Sequence, residues 1–304
     1  MEFPKLPTEV LLQRLQPPKG KIRMVLDTDT YNEIDDQFAL VYALCSKDRM
    51  KVEAIYAAPF SNDRSSGPED GMEKSYDEII RLLDRMNISP DELVFKGSKG
   101  YLPEAFKPCP SEAAEDLIKK AMSNGRDPLY VTAIGAITNV ASAILMEPKI
   151  IEKIVVVWLG GHPQYWPHTH EFNLAQDIYA SRLIFDCGVP LIQIPCATVA
   201  SHLLTTVPEL DFHYPKMGAV GQYLIDSFKG YSQDHFAWAK EIWDISAIAY
   251  LVNPDWIPTD LIHSPILTDQ VTWSHDPSRH FIRVARQLHR NPIFKDMLQK
   301  LYTI

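Results

Sequence analysis

Cysteine is scarce in this 304-residue chain. Its four cysteines, Cys45, Cys109, Cys187 and Cys196, are scattered and form no C-x-x-C pair. That argues against a disulfide framework or a zinc knuckle and fits a reducing compartment. A basic surplus is missing too: 30 lysines and arginines face 39 acids, a formal net charge of −9. Neither a nucleic-acid-binding surface nor membrane binding is expected from that balance. No apolar run approaches the length that spans a bilayer. Met1 to Gly20 carries charges and prolines without an apolar signal core, so a cytoplasmic protein is expected. Internal repeats and low-complexity linkers are lacking as well. The chain can bury a large core. It reads as a short lead-in, residues 1–20, followed by one domain over 21–304.

One stretch lacks any lysine or arginine and holds the densest chemistry. Val25-Leu26-Asp27-Thr28-Asp29-Thr30-Tyr31-Asn32-Glu33-Ile34-Asp35-Asp36 follows an apolar run that reads as a buried strand. Its four aspartates and one glutamate have no basic neighbour in the stretch. Carboxylates this close repel one another and raise each other's pKa. A bound cation is the economical remedy. Asp36 opens an apolar helical face running to Leu44, so the acids sit on a strand-to-helix loop. Open α/β sheets place ligands there. Asp35 and Asp36 alone would also suit a helix N-terminus; the whole cluster asks for more.

Further along, strands are expected at 51–58, 93–95, 129–134, 154–159 and 189–194, with helices at 73–86, after Ser111, at 139–146 and at 177–184. Ser111 and Asp177 suit N-caps. Strands alternating with helices imply an α/β fold: an open, mostly parallel sheet flanked by helices. The part after about Ser201 reads as mainly helical, with helices at 217–228 and 244–252. A late strand pair is expected around Ile266–Thr272 and Phe281–Val284, before a terminal helix. Polar signals follow the strands directly at Asp27–Asp36, Asn62, Ile134-Gly135 and the Gly160–Asn173 loop. In a parallel sheet these converge on one edge.

From about Lys21 on, the chain resembles the inosine-uridine-preferring nucleoside hydrolases. Asp27, Asp29, Asp35 and Asp36 match the family's Asp-x-Asp…Asp-Asp signature, and Ile134-Gly-Ala-Ile-Thr-Asn139 resembles its Thr-Gly-x-Leu-Thr-Asn turn. Gly160-Gly161 with Glu171-Phe172-Asn173, and Trp243-Asp244 opening an apolar helix, resemble its later blocks. The resemblance implies a nucleoside-hydrolase-like sheet and hydrolysis of ribonucleosides to ribose and free base through an oxocarbenium-like transition state. It implies one calcium ion held by Asp29, Asp36, Asp244 and the carbonyl of Ile134, with Asp29 as the base that activates a calcium-bound water. Asp35, Asn62, Glu171 and Asn173 would hold ribose hydroxyls. A cytoplasmic homodimer or homotetramer serving nucleoside salvage would follow.

Departures from the pattern bear on the base. Thr30–Ile34 replaces the usual Pro-Gly and makes the acidic loop two residues longer, which can bring Asn32 and Glu33 into the site. The Gly97–Pro110 loop lacks a histidine-rich flap. Trp243 stands where many members carry a histidine; an indole stacks on a purine, which leans the reading toward purine nucleosides in purine metabolism. His162, His168 and His170 are candidates for the leaving-group acid. Rival readings are a non-catalytic nucleoside- or metal-binding member, an enzyme for some other riboside, and a magnesium-dependent phosphohydrolase of the haloacid-dehalogenase type. The last has an Asp-x-Asp start but leaves Asn173 and Asp244 unexplained.

Overall fold

A computed structural model describes residues 2–123, 125 and 127–302. Eight strands form the central sheet: β1 (Ile22–Thr28), β2 (Met50–Ala57), β3 (Val94–Lys96), β4 (Leu129–Ala133), β5 (Ile154–Leu159), β6 (Leu191–Ile194), β7 (Thr259–His263) and β8 (Phe281–Ala285). Their order is β3-β2-β1-β4-β5-β6-β8-β7. All neighbours are parallel except β8 and β7. The chain runs outward from β1 through β2 to β3, then returns to the other side of β1 as β4. The order therefore reverses between β1 and β4, and a crevice opens at their C-terminal ends.

Strand alternation explains the two layers. β1 sends Met24 and Leu26 into one apolar cluster and Val25 into the other. In β5, Val155, Val157 and Leu159 face one side, Ile154, Val156 and Trp158 the other. Strands buried on both faces need such unbroken apolar runs. The first layer holds the helices Asp36–Cys45, Pro68–Arg85, Ile245–Val252 and Arg290–Leu301; the second holds Glu112–Ala121, Thr138–Met146 and Ile178–Asp186. Fully burying one such Leu or Val contributes about 1.5–3 kcal/mol. Ser111 and Asp177 cap their helices, accepting from Ala114 N–H at 3.2 Å and Ala180 N–H at 2.9 Å.

Three local expectations are corrected. The helix read from Glu73 starts at Pro68, because proline fits the first helical position and Glu69 and Asp70 favour the positive helix end. Ile266–Leu267 pairs with Trp273–Ser274, not with Phe281–Val284. The latter segment is β8, which joins the main sheet beside β6. β7 carries no alternation strong enough to mark it; as an antiparallel edge it leaves Leu261 exposed. Among the described residues no helix is long and apolar enough to cross a membrane.

Candidate active site

At the β1/β4 crevice five aspartates are buried together: Asp27, Asp29, Asp35, Asp36 and Asp244, none more than 4% exposed. β1 delivers the first two at its end, and the Asp36–Cys45 helix starts with the next two. Asp244 arrives from far along the chain, because it precedes the helix Ile245–Val252, which packs on the Asp36–Cys45 helix. Carboxylate oxygens of Asp35, Asp36 and Asp244 lie within 4.8 Å of one another. Thr28 Oγ1 donates to Asp36 at 2.5 Å.

Asp27 and Asp29 differ in what surrounds them. Asn139 Nδ2 donates to Asp27 Oδ1 at 2.8 Å, while Asn139 Oδ1 takes the Ser98 N–H at 2.7 Å. Asn139 thus works inside its helix as a brace between loops. Asp29 has no donor on either oxygen among the described residues. A Cβ on Gly135 would come to 3.0 Å from its carboxylate, so any larger residue there would have to push Asp29 aside.

Burial dominates the titration of this cluster. It pushes Asp27 up to about 7, despite the Asn139 bond. Asp35 is pushed up to about 6 by burial and then by Glu33, and Asp36 to about 8 by burial and then by Asp35. Burial, Asp36 and Asp35 raise Asp29 well above the carboxylate range; burial, Asp35 and Asp36 do the same to Asp244. Left without a cation, such a group holds protons.

A cavity of about 240 Å³ opens over the cluster. Asp35, Asp36, Ile134, Glu171, Asn173, Trp243 and Asp244 line it, as do His162 and His170. Asp29 lies buried against Gly135, outside that wall. Asn62 and His168 are not on the wall either. Asn62 donates to Asn32, which is, at 2.6 Å, and the His168 ring centre lies 5.6 Å from those of both His162 and His170. Glu171 caps the helix Phe172–Gln176: its oxygens accept from Gly161, Asn173 and Leu174 N–H groups at 2.7, 2.9 and 3.0 Å. Burial still raises its pKa. Asn173 Nδ2 donates to the carbonyls of Ile134 and Leu159 at 3.1 and 3.0 Å, fixing where the Ile134 oxygen sits.

Lys240 is the residue that the sequence did not announce. It is 7% exposed and forms an ion pair with Glu33 across 207 positions of chain. Burial opposes its charge, yet Asp35 and Glu33 outweigh burial and raise its pKa. Its only signal was being the lone lysine shortly before Trp243-Asp244. Cys196 and Phe172 also reach the cavity wall unannounced.

The donors fit a hard cation. They are oxygens only, several are carboxylates, and the two oxygens of Asp29 lack any protein partner. The reversal of an α/β sheet, with a carboxylate-lined cavity at its strand ends, defines an enzyme for small polar substrates.

The sequence model of the inosine-uridine preferring nucleoside hydrolases matches residues 24–292, and the chain belongs to that family. It is accordingly a hydrolase of N-glycosyl compounds acting on ribonucleosides. The pyrimidine-specific ribonucleoside hydrolase RihA of Klebsiella pneumoniae is 26% identical over 264 residues, covering 76% of this chain and 80% of that one. The non-specific ribonucleoside hydrolase RihC of Salmonella newport is 26% identical over 142 residues, 45% of each chain, so under half of that enzyme is matched. A solved purine-preferring ribonucleoside hydrolase from Gardnerella vaginalis superposes with a TM-score of 0.72 at 20% identity, covering 92% of this chain and 98% of that one. At that identity the superposition speaks for the fold alone.

Proposed function

We propose that this enzyme cleaves the N-glycosidic bond of purine-leaning ribonucleosides with the help of one calcium ion. The observation that carries the reading is the crowd of five buried aspartates, in which both oxygens of Asp29 lack a donor among the described residues. Asp36, Asp244, Asp29 and the Ile134 carbonyl would hold the ion, with Asp35 close to the same point. When bound, calcium supplies positive charge that acidifies a water and grips ribose hydroxyls.

The chain's own residues do the rest. Asp29, ionised once a cation replaces its proton, takes the proton of the attacking water. Asp35, Asn173 and Glu171 orient the sugar, and Asn62 holds the Asn32 amide in the cavity wall. Trp243 offers the base a face to stack on. His162 is one candidate acid on the cavity wall: its Nδ1 accepts from Ala197 N–H at 3.4 Å, so the neutral ring carries its hydrogen on Nε2 and must gain a second proton, giving up that contact, before it can protonate the base. Burial, and then His168, keeps its pKa low. His170 on the same wall is the next candidate. The four free cysteines suit a cytoplasmic setting, and a homodimer or homotetramer in nucleoside salvage completes the proposal.

A second reading, pyrimidine ribonucleosides, is favoured by the pyrimidine-specific RihA among the relatives. Ribose release from inosine, guanosine, uridine and cytidine tests both, with and without prolonged chelation. Release from the purines, lost on chelation and restored by calcium, is expected. Release from uridine and cytidine alone overturns the purine lean. Release that survives exhaustive chelation overturns the calcium role.

A further inference from the structure

Glu33 is an acid that the hydrolytic chemistry above leaves unused. It stands in the longer part of the acidic loop and forms part of the cavity wall. Lys240 takes one of its oxygens, Oε2. The same ammonium lies 4.0 Å from the centre of the Trp243 ring and 4.8 Å from that of Tyr231. One carboxylate and two rings therefore pin the lysine, and the lysine fixes Glu33 beside the indole. No described residue donates to the other oxygen, Oε1.

Asn32, next in the chain and on the same wall, presents the opposite polarity. Arg64 N–H donates to Asn62 Oδ1 at 2.9 Å, which fixes how the Asn62 amide is turned. Its Nδ2 then donates to Asn32 Oδ1 at 2.6 Å. That leaves Asn32 Nδ2 as a donor with no acceptor among the described residues. An acceptor-only carboxylate oxygen and an amide N–H thus belong to consecutive residues of the cavity wall that also carries the stacking ring.

Resting on the nucleoside-hydrolysis reading, we infer that Glu33 and Asn32 read the edge of the departing base and select bases that carry an N–H next to an acceptor, as hypoxanthine does. Lys240 is the positioning residue: it aims Glu33 and neutralises it beside the acidic cluster. A base with only lone pairs at that edge meets the carboxylate with no hydrogen bond to give. Sites built to bond a donor discriminate strongly against analogues that lack it.

The test compares kcat/KM for inosine and for purine riboside, whose base has the same rings but no N–H at that edge. In Glu33→Gln, inosine hydrolysis should fall at least about tenfold and purine riboside hydrolysis far less, so their ratio collapses. Lys240→Met should shift the ratio in the same direction, and Lys240→Arg should restore it. An unchanged ratio in Glu33→Gln, whether both rates fall together or neither does, overturns the inference while leaving the hydrolase reading intact. A wild-type enzyme that releases ribose from neither compound overturns the inference together with the purine lean.

Discussion

The two ends of one sheet treat charge in opposite ways. At the N-terminal end of β1, Arg23 holds Glu53 through both oxygens with three hydrogen bonds at 2.9–3.2 Å, and Lys51 adds a fourth. Although burial works against it, Glu53 ends below its usual pKa because Arg23 and Lys51 outweigh burial. At the C-terminal end of the same strand, Asp27 and Asp29 are fully buried with no cationic partner, and their pKa values rise. One strand thus carries a satisfied pair at one end and an unsatisfied cluster at the other. The first arrangement serves the fold. The second is tolerable only where a ligand completes it.

The sharpest way to break the contrast is Asp29→Asn. It should lower kcat by about 10²–10⁴-fold without lowering the melting temperature, because the proposal makes the lost group the base and it has no partner among the described residues. Steady-state kinetics beside a thermal melt decides this. Equal losses in both would make Asp29 a structural residue.

Next in size is the cation itself. At a hundred times its dissociation constant, calcium should stabilise the protein by about 2.7 kcal/mol, which calorimetry reads against a chelated sample. Asp244→Asn should remove most of that gain. A gain that persists in the variant would place the ion elsewhere.

A smaller effect lies at the other end of the sheet. His280, just before β8, has a buried Nε2 without a partner, and burial, then Arg279 and His263, lowers its pKa to about 4. The unfolded chain therefore binds a proton below pH 6.5 that the folded one refuses down to about 4. Stability should fall as the pH drops through that window, and His280→Gln should lose about 1–2 kcal/mol less, after discounting the full shift for the ring's partial exposure. Urea melts at pH 6.5 and 4.5 measure the difference. The smallest change is expected for Arg23→Met, about 0.5–1 kcal/mol of stability with kcat untouched. Any loss of turnover there would show that the two ends are coupled.

What could be read beforehand follows from the range of the interactions. The acidic loop was legible because strand, acids and helix are contiguous, and the caps at Ser111 and Asp177 because capping is local. Asp244 was found through its motif, since nothing in its neighbourhood points to a site 208 residues upstream at Asp36. The Lys240–Glu33 pair had neither proximity nor pattern to reveal it. Glu171 was legible as a cavity residue through its motif, but its capping bonds to three backbone N–H groups were not. β7 and the partner of β8 were misjudged for the same cause: pairing across a sheet is decided by which long-range packing wins, not by local alternation.

Ile134 carries one more consequence. Its N–H donates to the Asp27 carbonyl at 2.9 Å, so the Ala133–Ile134 peptide extends the β1–β4 ladder directly before the Ile134 carbonyl, which Asn173 holds beside the cavity. Because that peptide belongs to the central ladder, it cannot open without opening the middle of the sheet. Its amide should exchange with deuterium only through global unfolding. At this point of the site, heat damage and loss of the central sheet would then coincide.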